Sequence, residues 1–110
     1  MGRMLESRRR LIRTRGRAMR LIRRATNGVP QQAVDLIGFP RLYRPGEIEG
    51  AIQQGDQQVE ILNDEIAAAG FGQPGNGQKL LLDGREVTIQ GSQPVHEGAS
   101  VIGHSLWVRG

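Results

Sequence analysis

Nucleophilic or acid–base chemistry in this chain would have to be assembled from two histidines, His96 and His104, and four serines, Ser7, Ser92, Ser100 and Ser105. None of these serines stands in the glycine-flanked elbow that exposes a nucleophile at a strand-to-helix turn. Ser105 and His104 are neighbours on a predicted strand, so their side chains leave opposite faces and cannot share a proton. His104 suits a strand residue held by packing or a hydrogen bond, and His96 a solvated turn residue. Carboxylates come in two close pairs, Glu47 with Glu49 and Asp64 with Glu65. The first pair suits a partner's arginine; the second suits the first turn of a helix, where the helix dipole favours negative charge. Neither is placed for proton transfer with a histidine or cation. The run Gly70-Phe71-Gly72-Gln73-Pro74-Gly75 has the look of a phosphate-binding glycine loop, but it follows a short helix, whereas that loop follows a strand. Without cysteine there is neither a disulfide nor a thiolate metal site. The expectation is a protein without catalytic residues, metal or cofactor, and without a small-molecule substrate.

Charge is the more telling feature. Residues 1–24 carry ten arginines against one glutamate, a local net of +9, while the other 86 residues carry five cations and ten acids, a local net of −5. A cationic arm on an acidic body suggests nucleic acid or head-to-tail contact between copies. Fourteen of the fifteen cations are arginine, which forks onto carboxylates and phosphates and tolerates interfaces better than lysine. The arm has no aromatic residue for base stacking, so phosphate contact is chemically open to it and base recognition is not supported.

The elements that must present these groups are mostly strands. Sixteen glycines and five prolines in 110 residues favour many turns between short strands, and four aromatics, Phe39, Tyr43, Phe71 and Trp107, leave the core to Leu, Ile and Val. No apolar run approaches the roughly 18 residues that cross a bilayer. Residues 3–14 read as a helix with Met4, Leu5, Leu11 and Ile12 on one side, Arg8, Arg9, Arg10 and Arg13 over much of the rest, and Gly16 as the stop. Residues 17–24 read as a strand, with Met19 and Leu21 on one face and Arg20, Ile22 and Arg24 on the other. Residues 33–43, interrupted by Gly38 and Pro40, read as a bulged or edge strand. A strand follows at Val59 and Ile61, then a short helix from Asp64 to Ala69 with Asn63 as N-cap and Gly70 as C-cap. Lys79 to Leu82, Asp83-Gly84 and Arg85 to Gln90 spell a tight hairpin, because Asp-Gly supplies the positive φ of a two-residue turn. A turn region from Pro94 to Gly98 leads to a last strand, Ser100 to Arg109, with Ile102, His104, Leu106 and Val108 on one face. The sum is mainly β: one domain over 1–110, a small closed barrel or sandwich of five or six antiparallel strands, with residues 1–16 as an arginine-rich N-terminal helix and one further short helix.

One longer pattern goes further. The segment from Pro45 to Leu62, with Ile48, Gly50, Ile52, Gln53, Gly55 and Asp56 ahead of a strand, resembles small neck proteins of tailed bacterial viruses. The Asp83-Gly84…Ile89 hairpin and the ending Leu106-Trp107-Val108-Arg109-Gly110 follow in the order found in those proteins. Where that family commonly has a basic residue after Gly-Asp, this chain has Gln57. The resemblance implies a head-closure or head–tail joining subunit of the virion, made in the bacterial cytoplasm. It would form a six- or twelve-fold ring with itself, between the portal or adaptor ring and the tail, around the DNA exit channel. Arg8, Arg9, Arg10, Arg13, Arg17, Arg20, Glu47 and Glu49 are the expected partner or ring contacts. Gln53, Gln54, Gly55, Asp56, Gln57 and Gln58 are the expected channel or ring-contact loop, a flexible segment ordered on assembly. A tail-terminator or minor tail subunit, and a basic module making non-specific DNA contacts, are the alternatives.

Overall fold

A computed structural model describes residues 3–47 and 50–110. In chain order it has helix α1 (Arg3–Arg15), strand β1 (Arg17–Arg23), strand β2 (Gln32–Leu42), a 3₁₀ turn (Pro45–Glu47), strand β3 (Gln57–Leu62), helix α2 (Asp64–Ala69), and strands β4 (Lys79–Leu82), β5 (Arg85–Glu97) and β6 (Ser100–Arg109). The six strands form a closed antiparallel barrel in the order β1-β2-β3-β6-β5-β4, with β4 returning to β1. The expectation of a mainly β barrel with an N-terminal helix and one further helix holds.

Alternation places the core. Met19 and Leu21 of β1 turn inward while Ala18 and Arg20 stay exposed. Leu36, Val59, Ile61, Leu80, Val87, Ile89, Leu106 and Val108 meet them inside. Burying each such aliphatic side chain contributes roughly 1.5–3 kcal/mol. A surface ion pair contributes about 0–1 kcal/mol. The aliphatic interior therefore holds the barrel, joined by one aromatic, Phe71, with Ile66 of α2.

Three local devices complete the fold. α1 stops at Gly16, whose N–H closes onto the Ile12 carbonyl at 2.7 Å; an added side chain there would meet the Gly38 carbonyl at 2.7 Å. The β4–β5 turn is the expected Asp83-Gly84, with φ of 52° and 77°, and Leu82 pairs with Arg85. α2 ends at Gly70 in the left-handed region, φ 63°.

Four expectations are corrected. β2 is neither an edge strand nor bulged: it pairs with β1 through Gly38 and with β3 from Gly38 to Leu42. Pro40 fits because β1 begins at Arg17, opposite Gly38, so that side makes no demand on its missing N–H. Residues 94–97 continue β5, and the turn is only Gly98-Ala99, so His96 is a strand residue paired with Val101. Asn63 makes no side-chain cap to α2. Gln57 and Gln58 belong to β3.

Candidate docking interface

The arginines of the N-terminal segment turn mostly back onto the molecule. α1 lies across β2 and β3. Its inner row is Leu5 and the buried Ile12, and arginines clasp the wall beside it. Arg8 reaches Glu60 of β3 at 2.7 Å. Arg9 forks onto both carboxylate oxygens of Asp64, at 2.9 and 3.2 Å, and Arg13 adds a third contact at 3.4 Å. That pair holds the Asp64 carboxyl below its ordinary value and raises the Arg9 guanidinium. At the far end of α1, Glu97 from the β5–β6 hairpin accepts from the backbone N–H groups of Met4 and Leu5, at 3.2 and 3.3 Å. Glu97 thus supplies the anionic partner that a helix N-terminus wants, from 92 residues away in the chain.

On β1 and at Arg24 just after it the same pattern continues. Arg17 pairs with Asp83 of the hairpin, Arg20 with Asp35 of β2 at 2.8 Å and Arg24 with Glu86 at 2.7 Å. Arg23 donates to Gln32 and to the Gln73 carbonyl, with its guanidinium 4.3 Å from the centre of the Phe71 ring. Of the expected contact arginines, Arg8, Arg9, Arg13, Arg17 and Arg20 are thus engaged within the chain, and Arg10 points outward with no carboxylate partner among the described residues. Glu47 is engaged too. Both Arg41 nitrogens reach it at 3.0 Å and the Arg44 N–H at 2.7 Å, which brings its carboxyl down to about 2. Glu49 lies outside the described residues.

The expected channel loop is anchored. Gln53, Gln54 and Gly55 are exposed, but Asp56 is 3 % exposed. Asp56 accepts from the Gln53 N–H at 2.9 Å, the Trp107 indole N–H at 2.8 Å, and Arg109 Nε and Nη2 at 3.0 and 2.9 Å. Arg109 above all holds its carboxyl down at about 2, against the opposing effect of burial. Arg109 also donates to the Ala51 carbonyl at 2.9 Å, which ties down the segment before Asp56. Sequence reasoning did not find Trp107 and Arg109 as the partners of Asp56. A signal was present, since alternation along β6 sends both outward from the core, and β3, which Asp56 precedes, pairs Gln57 with Val108.

His104 sits inside the barrel wall, 2 % exposed, with Nε2 3.3 Å from the Asn63 side-chain oxygen, and burial lowers its pKa. Ser105 faces the other way and accepts from Gln58 Nε2 at 2.6 Å. Among the described residues no three His, Asp or Glu side chains gather where they could hold a metal, and no helix is long and apolar enough to cross a membrane. Two concavities lie near the anchored loop: a polar cleft of about 460 Å³ among Arg17, Arg41, Leu42 and Arg85, and a groove of about 390 Å³ between Tyr43, Ile52, Gln58 and Trp107. No family model, curated protein or solved structure matches this chain.

Proposed function

We propose that this chain is a structural subunit of the neck of a tailed bacterial virus. One copy of a ring, it joins the DNA-filled head, through the portal or adaptor ring, to the tail and helps close the exit channel. The observation that carries this reading is a barrel without open edges around its core, bearing a helix strapped to its β2–β3 wall by ion pairs. The β4–β5 wall lies across the barrel from that helix by strand order. A head-to-tail ring needs two unlike faces on each subunit, set at a fixed angle. A rigid aliphatic barrel with a helix on one side only supplies such faces. The residue pattern from Pro45 to Gly110 supports the same reading. A free DNA-binding arm is disfavoured, because six of the ten arm arginines are paired with carboxylates of the same chain.

The test is genetic and structural. A strain lacking this chain should accumulate DNA-filled heads and free tails that fail to join, and the chain should map between portal and tail in purified particles. Infectious particles at full titre without it would overturn the proposal. Co-purification with isolated tails, with heads left sealed, would assign it to the tail end instead.

A further inference from the structure

The apolar side of α1 is wider than the barrel covers. Leu5 and Ile12 face the wall, but Met4 and Leu11, seven residues apart and so in line on a helix, are 44 % and 42 % exposed. Arg15 stands one turn from Leu11 beside this strip, and Arg3 and Arg10 stand beyond it toward the outer side, each exposed and without a carboxylate partner among the described residues. Ser7 and Thr14 lie between the strip and Arg3 and Arg10, and Glu6 and Arg13 are the other exposed positions of the helix. A surface helix that needed only solvation would end its apolar stripe where the barrel ends. Here the stripe continues onto the open side, with cations placed around it.

Among its described residues, a second copy of this chain offers a poor occupant. Among the described residues, the carboxylates outside ion pairs are Glu6, Glu65 and Glu97. Glu97 holds the N-terminus of α1, Glu65 accepts from the Ile37 N–H, and Glu6 belongs to α1 itself. No acidic wall is left among them to meet the outer arginines. Duplex DNA would use the arginines but would leave Met4 and Leu11 facing charge and water.

We propose that the outer face of α1 docks an acidic amphipathic helix of a different protein, with Met4 and Leu11 receiving its apolar ridge and Arg3, Arg10 and Arg15 its carboxylates. This rests on the reading of the chain as a joining subunit and names the chemistry of one of its partners. The inner arginines then play a separate part, fixing α1 on the barrel so that its outer face is presented rigidly.

The test uses the full chain and three probes: a synthetic helical peptide with a leucine ridge flanked by glutamates, the same peptide with the leucines replaced by serine, and a short DNA duplex. The leucine peptide is expected to bind saturably at physiological salt and to shift the Met4 methyl and Leu11 resonances, and the serine peptide to bind at least about tenfold more weakly. Leu11→Ser and Arg10→Glu change exposed positions, and each should weaken binding by about tenfold. Arg20→Gln, on β1, should leave it unchanged. Equal binding of the two peptides, binding of DNA alone, or shifts confined to another face would each overturn the proposal. A chain that binds the peptide but is absent from virions sinks the neck reading alone. A chain found in the neck whose α1 ignores the peptide sinks only this inference.

Discussion

Asp56 concentrates in one carboxylate what the loop before it needs in order to stay in place. Its two oxygens receive four N–H groups, two from one guanidinium, one from an indole and one from the backbone. Removing the charge leaves these donors facing an amide that can accept at one oxygen only. Asp56→Asn is expected to cost about 2–3 kcal/mol in urea unfolding, toward the lower end because Arg109 keeps 34 % of its side chain in water. The pH dependence has a definite sign. The folded carboxyl lies at about 2, below its ordinary 3.8, so the unfolded chain takes up the proton first. The stabilisation is complete above about pH 4 and is lost as pH falls through about 2. The asparagine variant should lose this component of acid sensitivity, seen as a smaller drop in the unfolding midpoint across that window. His104 acts at higher pH: its lowered pKa means stability falls as pH drops below its ordinary 6.5.

Between elements, the seat of α1 depends on three acids, Glu60, Asp64 and Glu97, and a glycine. Asp64, at the start of α2, receives both Arg9 and Arg13. Asp64→Asn is expected to loosen the helix by about 1 kcal/mol. In hydrogen exchange the α1 amides should then lose protection while the inward-facing strands keep theirs. Gly103 of β6 faces out beneath the helix: a methyl there would run into the Ile61 carbonyl and come within 3.5 Å of Arg8 Nη2. Gly103→Ala should cost about 2 kcal/mol in thermal or urea unfolding, where the same change at the open Gly98 costs mainly its turn strain. These contacts mark the limit of what the sequence made legible. The Asp83-Gly84 hairpin, the helix stop at Gly16 and the inward faces of β1 and β6 could be read because each depends on residues within a few positions. The partners of the arginines could not, because Arg9–Asp64 and Met4–Glu97 join residues 55 and 93 apart through a topology that local patterns do not encode. Asn63 misled for a related reason. It is a good cap by type, but its side chain donates to the Val101 carbonyl and lies against His104.

At the scale of the whole molecule, the strong polarity between arm and body largely cancels on folding. Six of the ten arm arginines meet carboxylates of their own chain, and Arg23 is held over Phe71. That leaves Arg3, Arg10 and Arg15 as the arm's outward charge among the described residues. The difference is measurable with DNA as a probe of free cations, whatever the natural partner. Each phosphate neutralised contributes a slope of about −0.9 in log affinity against log salt for duplex DNA. An unpaired arm with ten arginines would give a slope near −9, whereas three outward arginines give about −3. Fluorescence anisotropy with a short duplex over a salt series should therefore yield weak binding with a slope no steeper than about −3. A slope near −9 would mean that phosphate outcompetes Glu60, Asp64 and Asp35 for their arginines and that α1 leaves its seat. Hydrogen exchange on the DNA-bound chain separates the two states, since a helix that stays docked keeps its amides protected when DNA is added.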